Sequence, residues 1–185
     1  MALRSLRGAA IVSGGASGLG RACVERLHGE GLRVLIADLD AERGTELAAR
    51  LGAGAAFRTT DVTAPDAVDA AVAEAAGLDP AGLRLSVACA GVGPPERLLG
   101  RGGPHSVGRF TDTVTINLVG TFLLLRAAAA AMAANEPADD ERGVHVSTAS
   151  GSPEEFADLV VAIARNPMLN GETIRLDGAI RMAPR

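Results

Sequence analysis

Three side chains that active sites draw on are absent from this chain. Its 185 residues include no tyrosine, no tryptophan and no lysine, so all 18 basic residues are arginine. A phenolic acid–base and an ammonium group are thereby excluded from any mechanism the chain runs by itself. Cysteine is scarce, with only Cys23 and Cys89. Their separation is neither a metal-ligand nor a disulfide spacing, which makes a reducing compartment the default. Blocks of like charge are missing too. With a net charge of −4 and no basic stripe, the chain does not read as a nucleic-acid or polyanion binder. Met1 to Arg7 is short and basic and leads straight into a strand pattern, unlike a secretory leader. The most apolar stretch, Leu118 to Ala134, is interrupted by Gly120 and Arg126 and reads as a buried helix rather than a membrane span. A soluble, cytoplasmic protein without a membrane partner is expected.

What remains is apolar and alternating. Hydrophobic residues make up 48% of the chain, enough for one domain over residues 1–185 with a substantial core. Short apolar runs predict strands at Ala9–Ser13, Arg33–Ala37, Ala55–Thr60, Leu83–Ala88 and Val144–Ser147, with a last one at Thr173–Leu176. Between them, helical spacing covers Leu19–His28, Ala41–Leu51 closed by Gly52, Pro65–Ala76 with Thr63 as its N-cap, Thr111–Ala134 and Pro153–Arg165. Gly93 to Gly108 reads as a loop. Strands alternating with helices imply an α/β fold, a Rossmann-like doubly wound parallel sheet. Such sheets bind ligands at the carboxyl ends of their strands.

The first of those ends runs into Ser13-Gly14-Gly15-Ala16-Ser17-Gly18-Leu19-Gly20. Glycines at 14, 18 and 20 allow a tight turn and close approach of a pyrophosphate, and the helix that follows aims its N-terminal N–H groups at the phosphates. A glycine triplet is weak by itself; its place between a strand and a helix strengthens it. Asp38 lies about 20 residues further on, at the end of the second strand, where a carboxylate accepts hydrogen bonds from ribose hydroxyls and repels an added phosphate. NAD rather than NADP is the expected cofactor. The competing reading is that Asp38 merely caps a loop.

The glycine pattern, Asp61-Val62 after the third strand, Cys89-Ala90-Gly91 after the fourth and Asn117 in the long helix together resemble the short-chain dehydrogenase/reductase family. Ser13–Gly20, Ile116–Phe122, Asn135-Glu136-Pro137 and Asn170–Met182 are similar, within it, to the type-2 3-hydroxyacyl-CoA dehydrogenases. The resemblance implies that Ser17 and Leu19 meet the cofactor phosphates and nearby ribose, and that Asp38 holds the adenosine ribose. It places Asp61 and Val62 beside the adenine, and Cys89 on the path to the nicotinamide ribose. It also implies that Asn117 is the asparagine supporting a water relay and that Ser150 bonds the substrate oxygen. Without the resemblance, the preferred readings are Asn117 as a residue satisfying backbone groups in its helix and Ser150 as an ordinary loop serine.

The family pattern then breaks. Its serine is followed about a dozen residues later by Tyr-x-x-x-Lys; here Ser150 runs into Gly151-Ser152-Pro153-Glu154-Glu155-Phe156, text that resembles a much later helix. An internal deletion near 150–153 is expected, taking with it the catalytic helix, a sixth strand and the substrate cover. Ala88 also stands where an asparagine is common. Three functions compete: an NAD-dependent oxidoreductase acting on 3-hydroxyacyl-CoA or a related secondary alcohol, a non-catalytic nucleotide-binding or subunit-modulating chain, and a truncated product with no role. His105, His145 and Cys89 are the side chains that could titrate near neutrality; His145 reads as buried structure rather than a base, and His105, in the loop, is a weak candidate. Exposure of Leu118, Phe122 and Leu125 is expected to favour self-association or association with a full-length relative.

Overall fold

A computed structural model describes residues 7–138, 141–147 and 153–166. Its centre is a parallel sheet of β1 (Ala9–Ser13), β2 (Arg33–Asp38), β3 (Ala55–Thr59), β4 (Leu83–Ala88) and, after a two-residue hairpin of β5 (Leu99–Gly100) and β6 (Gly103–Pro104), β7 (Val144–Ser147). The spatial order is β3-β2-β1-β4-β7. All four pairings are parallel, so each connection must cross over the sheet, and the sequence supplies a helix for the purpose. The helices are α1 (Gly18–Gly29), α2 (Ala41–Leu51), α3 (Pro65–Gly77), α4 (Val107–Val114), α5 (Gly120–Ala133) and α6 (Pro153–Arg165).

Two cores result. On one face α1, α2 and α6 bury Val24, Leu27, Leu47, Phe156 and Val160 against Val12, Ile36, Val87 and Val146. On the other, α3 and α5 bury Val68, Val72, Leu123, Leu124, Ala128 and Met132 against Ile11 and Leu35. β1 is buried on both faces along its whole length, which is why it reads as an unbroken apolar run. Strand order reverses between β1 and β4, and that is where a doubly wound sheet opens a crevice.

Five of the six expected strands and most helices lie where the spacing puts them. Three details differ. Thr63 does not cap α3: Ala64 occupies that position, and Thr63 bonds to Asp61 instead. The expected loop from Gly93 to Gly108 contains the β5–β6 hairpin and the first residues of α4. The long helix begins four residues early, at Val107, and passes through a π-turn at Thr115–Val119 before continuing as α5. The expected strand Thr173–Leu176, the presumed deletion point and Ser150 lie outside the described residues.

Val107–Ala133 is long and apolar enough to cross a membrane by length and composition, with a mean hydropathy of 1.7. Its inner side nevertheless packs on the sheet through Leu123, Leu124, Ala127 and Ala128, as expected of a core helix. Its outer side departs from that expectation. Leu118 is 66% exposed, and Phe122 and Leu125 are open as well.

Asn135 locks the end of α5 to the sheet. Its Nδ2 donates to the carbonyls of Leu83 (2.7 Å) and Arg142 (2.9 Å), so one amide closes the gap between β4 and the approach to β7. Asn135→Ala leaves both carbonyls without this donor and is expected to destabilise the fold by about 1–3 kcal/mol. Urea denaturation of the two proteins checks this; a loss below a few tenths of a kcal/mol contradicts it.

Candidate functional site

At the β1–β4 reversal lies a cavity of about 510 Å³. Its floor is the glycine turn after β1. Gly14 takes φ = 64°, and a Cβ there would meet the backbone of Cys89 and Ala90 at 2.6–2.8 Å. A Cβ on Gly20 would likewise run into the Gly14 carbonyl. Both glycines are required by contact with main chain, which cannot rotate away as a side chain can. The turn is tied to its neighbours on both sides: Gly14 N–H donates to Ala37 O (2.8 Å), and Cys89 N–H to Ser13 O (3.0 Å).

α1 starts from this floor. Ser17 is its N-cap, with extended backbone and a hydroxyl that makes no capping bond. No acidic residue sits in the first turn, while Arg26 and His28 lie in the last, so the positive end of the helix faces the cavity uncompensated. Such an end holds anionic phosphate groups.

Asp38, ending β2, forms one wall. Its Oδ2 accepts from Ala16 N–H at 2.9 Å and its Oδ1 from Asp40 N–H at 3.1 Å. The carboxylate therefore clamps the glycine turn to the β2–α2 connection. A carboxylate offers about four lone-pair sites, so acceptor capacity remains for a ligand's hydroxyls. The alternative that Asp38 caps a loop is half right: the side chain does organise a turn, at the edge of a cavity. Asp61 is held by Thr63, whose hydroxyl (2.7 Å) and N–H (2.8 Å) both donate to its Oδ1. These bonds hold its carboxyl below the usual carboxylate range.

Eleven residues expected to contact a cofactor line the cavity: Gly14, Ser17, Gly18, Leu19, Gly20, Asp38, Asp61, Val62, Cys89, Ala90 and Gly91. Ala37, Leu39, Thr60, Thr63, Val92 and Ile116 line it too and went unnoticed. Leu39 and Thr60 follow directly on strand ends, and that position was the available signal. Nothing in the local sequence marks Ile116 or Val92.

Asn117 belongs to the π-turn and is not a lining residue. Its Oδ1 accepts from Val92 N–H and its Nδ2 donates to Val92 O, both at 2.8 Å. The side chain satisfies backbone groups, as one of the two readings had it, and the groups belong to the strand-end loop rather than to its own helix. Cys89 is half-buried against Cys23, whose contact, with burial, pushes the Cys89 thiol up from its ordinary value. The two cysteines are free and packed together although 66 positions apart, which spacing could not disclose. Cys23 is fully buried, as a small apolar residue would be. His105 bonds locally to the Ser106 carbonyl and faces Glu96 at 3.5 Å, away from the cavity lining.

With the geometry in place, comparison with known proteins is direct. The short chain dehydrogenase family profile matches residues 8–158. The 3-hydroxyacyl-CoA dehydrogenase type-2 of Drosophila melanogaster is 34% identical over 250 aligned positions, covering 94% of this chain and 97% of the relative. The enzyme of that name from Homo sapiens is 32% identical, with 99% of each covered. A crystal structure of 3-hydroxyacyl-CoA dehydrogenase type-2 from Mycobacterium avium superposes with a TM-score of 0.88 at 34% identity, covering 96% of this chain and 97% of that one. The protein has a Rossmann-like fold and belongs to the short chain dehydrogenase family. Within that family it is an oxidoreductase homologue similar to 3-hydroxyacyl-CoA dehydrogenase type-2.

His145 is half-buried between two hydroxyls, and desolvation by that burial pushes its pKa below the ordinary histidine value. Below the unfolded value of about 6.5, the unfolded chain takes up a proton that the folded chain resists, so falling pH favours unfolding. The contribution of His145 to stability is full above that value and is lost as pH drops from there towards the folded pKa. The urea midpoint is expected to fall between pH 7.5 and pH 5, and to fall less in His145→Gln. An equal fall in both proteins would show that other groups account for it.

Proposed function

We propose that the cavity binds NAD(H) and that the chain, a 3-hydroxyacyl-CoA dehydrogenase-like member of its family, does not complete hydride transfer as it stands. The observation that carries the cofactor reading is Asp38, a carboxylate joined to the glycine turn on the wall of a dinucleotide-sized cavity. The residues present fit the group. The α1 N-terminus from Ser17 to Gly20 would hold the pyrophosphate, Asp38 the adenosine ribose, Asp61 and Val62 the adenine, and Cys89 to Gly91 the ribose beside the nicotinamide. When bound, the nicotinamide accepts or donates hydride at a secondary alcohol or ketone. Asp38 accepts from ribose hydroxyls and repels a 2′-phosphate.

The chain's own residues then run out. Proton transfer to the substrate oxygen needs an acid–base that no tyrosine or lysine can supply here. Ser150 is assigned the substrate-oxygen contact by resemblance alone. An alignment of 250 positions against a chain of 185 residues leaves a block of the relative without a counterpart, which supports an internal deletion near 150–153. A non-catalytic nucleotide-binding or subunit-modulating role is the second reading, favoured by an intact cavity beside an incomplete catalytic set. The free thiols of Cys23 and Cys89 support a cytoplasmic setting.

Calorimetric titration joined to a turnover assay tests both halves. NADH is expected to bind at least tenfold more tightly than NADPH, with Asp38→Ala weakening NADH and narrowing the gap. NADH formation from NAD and 3-hydroxybutyryl-CoA should not exceed a cofactor-only blank. Equal affinities overturn the cofactor reading, and clear turnover lost in Ser150→Ala overturns the inactivity.

Leu118, Phe122 and Leu125, open on one side of the long helix, support association with a second copy or a full-length relative. Light scattering should find the isolated chain above monomer mass, and Leu118→Glu with Phe122→Glu should lower that mass. A monodisperse monomer of the parent chain would refute it.

A further inference from the structure

One cluster of chemistry-bearing side chains lies outside the cavity and is used by nothing above. β4 and β7 pair in parallel with Ser86 opposite His145 and Ala88 opposite Ser147. Side chains alternate along a strand. Val146 turns into the core beneath α6, so His145 and Ser147 share the opposite face. There the imidazole joins two hydroxyls: Ser86 Oγ lies 2.6 Å from His145 Nδ1, and Ser147 Oγ lies 2.9 Å from His145 Nε2. Ser86 is fully buried and Ser147 is exposed, so the chain of three runs from the sheet interior to its surface.

Apolar residues are the default in such strands, and a buried polar group is costly unless it is bonded. Here three polar residues from two strands satisfy one another. With the proton on Nδ1, the ring donates to Ser86 and presents a free Nε2 lone pair to the Ser147 hydroxyl. In that tautomer Ser86 holds the ring orientation. A nucleophile on a base that a third group orients is the arrangement of an activated serine. Burial also keeps His145 in the neutral, proton-accepting form near neutrality. Ser147 closes β7 at the carboxyl end of the sheet, the edge at which doubly wound folds place their chemistry.

We infer that Ser147 is a reactive serine, activated by His145 and oriented through Ser86, that accepts acyl groups from small activated carboxylic esters. The Ser147 oxygen bonds to the acyl carbon, and its proton passes to His145 Nε2. The bond from that carbon to the leaving oxygen breaks, and the leaving group departs either as an alcohol that takes the proton from His145 or as a phenolate, His145 then releasing its proton to solvent. Water then attacks the acyl-serine, giving a proton to His145, and the carboxylic acid leaves as Ser147 regains its hydrogen. No oxidant and no nucleotide takes part, so the inference stands apart from the cofactor reading.

The experiment uses the full chain with p-nitrophenyl acetate, following p-nitrophenolate release and mapping acetyl groups by peptide mass spectrometry. Acetylation is expected at Ser147, to be absent from Ser147→Ala, and to slow by about 100-fold or more in His145→Gln, the loss typical of a missing general base. Ser86→Ala, which removes one oxygen without enlarging the side chain, should slow it about tenfold, the cost of roughly one hydrogen bond to the ring. Thermal melts show whether each variant is folded; if His145→Gln is not, the map of the parent chain and the rate in Ser86→Ala decide. Three outcomes overturn the inference: no acetyl group on Ser147 of the parent chain, an unchanged rate in the folded variants, or an acetyl group carried by Cys89 in place of Ser147.

Discussion

The close approach of the glycine turn to the end of β4 is the constraint on which the rest of the site depends. Gly14 sits against the Cys89–Ala90 backbone with no room for a methyl group, and its N–H reaches across to the end of β2. Three strands are drawn together at one point, and the start of α1 is set above them. Asp38 adds a fourth restraint by holding Ala16 from the β2 side. The cavity is thus defined mainly by backbone, which side-chain drift over evolution changes little. Its lining can persist even where catalytic side chains are gone.

That separation makes the cavity independent of the segments that follow β7. The glycine turn, Asp38 and Asp61 sit at the ends of β1, β2 and β3, and the turn is seated against the end of β4 rather than against any later element. The catalytic apparatus of the family draws on segments that follow β7. β7 still pairs with β4 in register, and α6 still fills the groove beside α1 through Phe156, Val160 and Val161. Ion pairs of Arg26 with Asp158 (3.0 Å) and of Arg165 with Glu30 flank this contact. Exposed pairs of the first kind contribute little energy, so the apolar contact is what seats the helix. The α5 side differs, with an open apolar stripe at Leu118, Phe122 and Leu125.

Much of this was legible in the chain itself. Apolar runs ending in Gly or Asp located the strands, because parallel strands buried on both faces leave few polar residues to confuse the pattern. Turn glycines and Asp38 were legible because strand ends are where ligand contacts gather. Features made by distant partners were not. Thr63 is an exception, since its partner is near: Asp61, two residues back, takes both its hydroxyl and its N–H, and the cap of α3 falls one residue later. The π-turn at Thr115–Val119 leaves no mark in helical periodicity, and Asn117 is tied to Val92 across 25 residues. His145 looked like an isolated core histidine until Ser86, 59 positions away, came within hydrogen-bond reach.

The α1–α6 contact has a consequence for synthesis on the ribosome. The apolar side of α1, with Val24 and Leu27, is complete once some thirty residues have emerged, yet its cover is Phe156 to Ala164, near the far end of the described chain. At ordinary elongation rates of about 5–20 residues per second, that surface waits roughly ten seconds for its partner. During that interval the nascent chain carries an open greasy groove beside a half-built sheet, a surface suited to transient capture by a holdase. Cover for α1 is therefore timed by the last described helix, α6, rather than by α1 itself.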